Sequence, residues 1–124
     1  MKLIANYKQQ YNGTYKGAVS EQLVDEILNH YSVSNETYRT WLIETGGGPI
    51  GSDWYDGLDE LEESQNKLKK EAWEITGFVI GWDGAGNPLV LQKNGGILTE
   101  DHNFSGIHKV ASSFEELLVA NVNS

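Results

Sequence analysis

Asp101, His102 and His108 are the residues whose types could bind a metal or move a proton. Imidazole nitrogens and carboxylate oxygens are ordinary zinc ligands. Two histidines six positions apart across a strand end are not a recognised ligand spacing, however. An acid–base pair would also need a nucleophile, and neither a Cys nor a Ser-centred nucleophile elbow occurs. The glycines between Asp83 and Asn87 make no phosphate loop, because no Lys-Ser or Lys-Thr follows them. His102 reads as a turn residue bonded to backbone. The sequence therefore assigns no catalytic residue, no metal ligand and no cofactor.

Binding chemistry is better represented. Asp53, Trp54, Tyr55 and Asp56 place two aromatic rings between two carboxylates in a stretch without helical periodicity. Aromatic anchors flanked by charge are how a few residues dominate a protein interface. The two aspartates are expected to be exposed. The plain alternative for Trp54 is that its ring folds back into the core. Asp59 joins the candidate partner-binding set, although with Glu60, Glu62 and Glu63 it also fits a solvated first helical turn. Asp83 completes the set, and its alternative role is to bond turn amides ahead of Gly84. Trp41 and Trp82 are assigned to core packing.

Charge points to the class of partner. The formal net charge is −9 and the pI is about 4.6. Lys2, Lys8 and Lys16 are the only charged residues among the first twenty, whereas Glu44 to Glu63 holds seven acids and no base. A field of that sign repels phosphates, which argues against direct nucleic-acid binding, and it favours a basic protein partner. Acidic surfaces also simply aid solubility. The absence of Cys excludes disulfides and thiol chemistry and suits a cytoplasmic protein. The apolar run at Met1–Ala5 is too short for a signal peptide, and no segment approaches the roughly 20 apolar residues that span a bilayer.

The elements that must position these residues fall into a helical half and a strand-rich half. Ser20 is a suitable N-cap for a helix whose apolar face is Leu23, Val24, Ile27, Leu28 and Tyr31, with Val19 stapled onto Val24. A second helix is predicted from about Ser34, with Tyr38, Trp41 and Leu42 facing inward, and Gly46-Gly47-Gly48-Pro49 ends it. Ile50–Tyr55 reads as a short strand or an extended loop. Asp59–Lys70 reads as a helix with acids first and lysines last, its Ser64, Gln65 and Asn66 lying edge-on to solvent. Phe78–Trp82, Pro88–Gln92, Ile97–Glu100 and Ile107–Val110 are β-prone runs. Turns at 83–87, 94–96 and 103–106 are short enough to require antiparallel pairing. Ser113 and Glu116 form a capping box for a last helix whose face is Phe114, Leu117 and Leu118. The expectation is one domain over residues 1–124, α+β in class. It has an antiparallel sheet of four to six strands, flanked by N-terminal helices and a short C-terminal helix.

Several of these blocks, in order, resemble the SUKH superfamily, which includes yeast regulators of cell-wall glucan synthesis and many bacterial toxin-immunity proteins. They are Tyr38-Arg-Thr-Trp-Leu-Ile-Glu-Thr45 with its Gly46–Pro49 exit, Gly81-Trp-Asp-Gly-Ala-Gly-Asn-Pro88, Asp101-His102, and Ala111-Ser-Ser-Phe-Glu-Glu-Leu-Leu118. The resemblance runs from Val19 onward and does not include residues 1–18. Family members often carry Leu-Pro where this chain has Ser34-Asn35. The resemblance implies an α+β fold whose antiparallel sheet is curved and flanked by helices. It also implies a binding protein without catalytic residues, and for bacterial members an immunity protein that neutralises a cognate polymorphic or contact-delivered toxin, often a nuclease. An acidic blocker suits the basic active site that a nuclease needs to hold phosphates. The alternatives are a regulatory or scaffold domain that docks another cellular protein and, more distantly, a metal-dependent hydrolase.

Overall fold

Three helices begin at a side chain that accepts a hydrogen bond from the free backbone N–H of the first turn. In this computed structural model, which describes residues 2–103 and 106–123, Ser20 caps α2 (Glu21–His30) through Leu23 N–H. Asn35 caps α3 (Glu36–Thr45) through Tyr38 N–H, one residue later than the sequence suggests. Ser113 caps α5 (Phe114–Asn121) through Glu116 N–H. Each substitutes a side-chain oxygen for a carbonyl that the helix cannot supply. At the far end of α3, Gly46 takes φ 71° and returns its N–H to Leu42 O, which is the left-handed stop that glycine permits.

Six antiparallel strands follow one another in an open sheet, in chain order. They are β1 (Gly48–Ile50), β2 (Asp53–Tyr55), β3 (Phe78–Trp82), β4 (Pro88–Leu91), β5 (Ile97–Glu100) and β6 (Ile107–Ala111). The stretch read as strand or loop is thus a hairpin that turns at Gly51-Ser52, with Gly51 at φ 64°, the backbone geometry that two-residue hairpin loops require. Of the turn expected at 103–106, residues 104 and 105 lie outside the described residues. In a meander of this kind the β1–β2, β3–β4 and β5–β6 turns all fall at one end of the sheet.

The first helix, α1 (Lys2–Gln10), was not foreseen. It buries Ile4 and Tyr7 and closes the edge of the sheet. Tyr7 OH donates to Pro49 O at 2.6 Å, and Gly51 N–H donates to Tyr11 OH at 2.9 Å. With α2, α3 and α5 it covers one face, where Trp41 is fully buried. The Trp41 ring meets Phe114 at 5.3 Å and Tyr7 at 5.8 Å, both edge-on, the favoured aromatic geometry. Tyr38 and Leu42 are buried beside it, as the α3 spacing predicts.

The opposite face carries a smaller apolar cluster, Ile75, Val79 and Val90 with Leu68, Trp73, Trp82 and Leu98. Here α4 (Leu61–Lys70) departs from expectation: Ser64 and Gln65 are buried rather than edge-on to solvent. The cause is a gap in the ladder. Strand β2 pairs with β3 at Trp54–Trp82 and Tyr55–Gly81, and Asp56 N–H reaches Ile80 O, after which β2 ends. Val79 would then have no partner on that side. Gln65 supplies one, its amide N–H donating to Val79 O and its amide oxygen accepting from Val79 N–H, both at 2.8 Å. One side-chain amide does the work of the missing strand.

Leaving a buried donor or acceptor unmade costs about 1–3 kcal/mol each, so Gln65→Leu should lower stability by about 2–5 kcal/mol in urea unfolding. It should also remove exchange protection at the Val79 amide. Trp41→Ala should cost about 3–5 kcal/mol. A native-like urea midpoint for either variant would contradict the packing described.

Candidate functional site

Because successive strand residues point to opposite faces, the three residues of β2 divide. Tyr55 turns into the helical core and is 1% exposed, whereas Trp54 turns to the α4 face and is 38% exposed. Trp54 stands directly across from Trp82 on β3, so the two side chains leave the same face of the sheet. Trp73 lies 6.4 Å from Trp82, and the His102 ring lies 6.2 Å from Trp73. Three of the four tryptophans thus collect on this face, and Lys67 Nζ sits 4.3 Å over the Trp82 ring, a favourable cation–π position.

Polar bonds fix the indoles in place. Trp82 Nε1–H donates to Ser64 Oγ at 2.9 Å, and the Ser64 hydroxyl donates to the Asp56 carboxylate. Trp54 Nε1–H donates to Glu60 Oε1 at 3.2 Å, which also accepts from Gly57 N–H at 2.8 Å. Lys16 closes the other side of this loop, 2.7 Å from Asp59 and 3.4 Å from Glu60. Two segments of the chain approach closely here: a Cβ on Gly47 would lie 2.4 Å from Gly57 Cα, so this crossing admits only glycine at 47.

The candidate residues therefore separate. Trp54 is exposed, and Asp53 is half-buried at the turn end of β2. Continuing the β2–β3 register brings Asp53 beside Asp83. Burial, and then the Asp83 charge, raise the Asp53 carboxyl above its ordinary value. Asp83 is held in its turn, accepting from Ala85 N–H and Asn87 N–H at 2.9 Å and from Asn87 Nδ2 at 3.2 Å. Asp59 is exposed, and its bond to Lys16 holds its carboxyl below the usual range.

Tyr55 and Asp56 do not fit the exposed patch read from the sequence. Tyr55 is core, its phenol pushed up by burial and then by the Asp53 and Asp83 charges. Asp56 is 4% exposed because β2 carries it under α4, where Ser64 meets it. Burial raises its carboxyl to about 6, against the opposing hydrogen bond from Ser64. Trp82, Trp73 and Glu60 take the places these two vacate. The register that sets Trp82 across from Trp54 could not be read before β2 was known to be a strand.

His102 is a turn residue. Its backbone N–H donates to Asn87 Oδ1 at 3.1 Å, and its ring nitrogen Nδ1 meets the same oxygen. His108 lies exposed on β6. Among the described residues no group of three or more His, Asp or Glu is placed to hold a metal ion, and no helix is long and apolar enough to cross a membrane. No protein-family model matches this chain, and no curated protein matches it.

An acid whose folded pKa lies above its unfolded value favours folding most when protonated, so this contribution is lost as pH rises from about 4 through 6. At pH 7 the buried Asp56 charge should cost on the order of 3 kcal/mol. Asp56→Asn keeps an oxygen for the Ser64 hydroxyl and removes the titration. It should raise Tm at pH 7, leave it nearly unchanged at pH 4, and flatten the profile between. Parallel Tm curves for the two proteins across that range would contradict the assignment.

Proposed function

We propose that this chain is a non-catalytic binding protein that neutralises a basic partner by stoichiometric association, acting as an immunity protein toward a cognate toxin domain such as a nuclease. The observation that carries this reading is the exposed Trp54 indole at the turn end of the sheet, opposite Trp82 and bonded to Glu60, with Asp59 in the adjoining loop and Asp53 and Asp83 at the same end of the sheet on its Tyr55 face. A rigid aromatic ring held by its own N–H can insert into a partner at little entropic cost, while the surrounding carboxylates steer a basic surface toward it. The order of sequence blocks that resembles the SUKH superfamily supports the same reading, as does the α+β architecture. No residue is given a catalytic role and no cofactor is invoked. The site of action would be the cytoplasm, where an immunity protein meets an incoming toxin.

A regulatory domain that docks another cellular protein would use the same surface, and co-expression separates the two. The C-terminal domain of a toxin-like reading frame beside the gene is expressed in a sensitive host, with and without this protein. Growth rescued only by the intact chain is the expected result; toxicity that persists transfers the reading to the docking domain. Asp53→Lys with Trp54→Ala should abolish rescue, because reversing an interfacial charge and removing an anchor together cost several kcal/mol. Folding should change by only about 1 kcal/mol, the scale of one cross-strand pair. Unimpaired rescue by a folded double variant would remove this surface from the proposal.

A further inference from the structure

Helix α2 has more apolar surface than the core uses. Val24 and Leu28 point inward and are buried. Leu23, Ile27 and Tyr31 form a second row at i, i+4 and i+8, in which Ile27 and Tyr31 are half-buried against the margin of the core and Leu23 stands clear of it. Leu23 is 51% exposed, an unusual degree for a leucine in a packed helix. Across from this row stands Leu58, just ahead of α4, and together they floor an open groove of about 450 Å³. Glu26 and His30 line it on α2, one turn apart, and Glu62 lines it on α4.

The rim charges are available. Elsewhere on α2, Glu21 and Asp25 are taken by Arg39, at 2.5 Å and 2.6 Å. Glu26 has only a long bond from Gln22 at 3.4 Å. Among the described residues neither Glu26 nor Glu62 forms an ion pair. An apolar floor between two unpaired carboxylates calls for a ligand with an apolar ridge and cations on both flanks. An α-helix offers that pattern when leucine-like residues recur at i, i+4 and i+7 with Lys or Arg beside them. The row from Leu23 to Tyr31 spans about 12 Å, two turns of such a helix.

We propose that the groove between α2 and the start of α4 docks a basic amphipathic helix of a protein partner. A second copy of this chain fits less well: it carries the same acidic rim and a net charge of −9, so like charges would oppose one another across the seam. The groove shares no lining residue with the Trp54 surface, although the 58–62 segment contributes to both, and it does not require the partner to be a toxin.

The test is an amide NMR titration of the full chain with a designed peptide of about 16 residues, long enough to form helix on contact. Its leucines follow the i, i+4, i+7 pattern and its other positions are mainly Lys. One control peptide has the same composition with leucines scrambled, and another has Glu in place of Lys. The expected result is saturable shifts at Leu23, Ile27, Leu58 and Glu62 with the patterned basic peptide alone. Glu26→Lys with Glu62→Lys should weaken binding by about tenfold or more, as should Leu23→Asp, while Asp53→Lys with Trp54→Ala leaves it unchanged. Equal binding of the scrambled or acidic peptide, shifts centred elsewhere, or no saturable binding would each overturn the proposal. So would a concentration-dependent dimer in sedimentation velocity that Leu23→Asp disperses, because the groove would then belong to a second copy.

Discussion

The amide of Gln65 is the contact on which the arrangement of this molecule depends. Strand β3 runs the length of the sheet, but β2 accompanies only its second half. Buried backbone groups must find partners, and the first half of β3 finds them in a helix side chain. That requirement sets the depth and rotation of α4 to within hydrogen-bond tolerance. Once Gln65 faces Val79, Ser64 must face Asp56 and Trp82, and Glu60, one turn earlier, meets the Trp54 indole. The polar helix is therefore specific in another sense, because its register on the sheet is read by hydrogen bonds instead of by apolar area.

This is also why the sequence discloses the two faces of the sheet unequally. The helical face is written in apolar spacing: Tyr38, Trp41 and Leu42 on α3 and Phe114, Leu117 and Leu118 on α5 are all buried. Ser20 and Ser113 cap where their hydroxyls suggest. The α4 face is written in Ser64 and Gln65, which pattern reading places in water, since only a partner across the fold makes their burial tolerable. Helix α1 is an intermediate case. Ile4, Tyr7 and Tyr11 recur at i, i+3 and i+7, a helical signal diluted by Asn6, Lys8, Gln9 and Gln10. The β1–β2 turn left a trace as well, in the Gly51-Ser52 pair between two β-prone stretches.

Net charge gives a poor picture of where this surface is acidic. Of the acids in the run from Glu44 to Glu63, Glu44 meets Lys8, Asp59 and Glu60 meet Lys16, and Asp56 is buried. On α2 and α3, Arg39 gathers Glu21, Asp25 and Glu36. Such exposed pairs add little to stability, but they flatten the local potential. Among the carboxylates that these cations leave unpaired are those at the Asp53–Asp83 end of the sheet and along the Glu26–Glu62 groove. Linear runs of acids overstate the first patch and miss the second, whose two carboxylates lie 36 positions apart in sequence.

Asp53 has a different relation to its neighbours from the paired acids. Its carboxyl is raised by burial and by Asp83, and among the described residues it forms no ion pair. Asp83 cannot retreat, because both its oxygens are committed to the 83–87 turn, and Asn87 from that turn in turn receives His102. A Lys or Arg presented by a partner would be the missing counter-charge, and its arrival would favour the ionised form of Asp53 where the free protein disfavours it. On the proposed reading, affinity at this end of the sheet would depend less on the number of carboxylates than on two that the fold brings side by side. Trp54 and Trp82, at the same end of the sheet but on its other face, would then supply the area that charge alone does not.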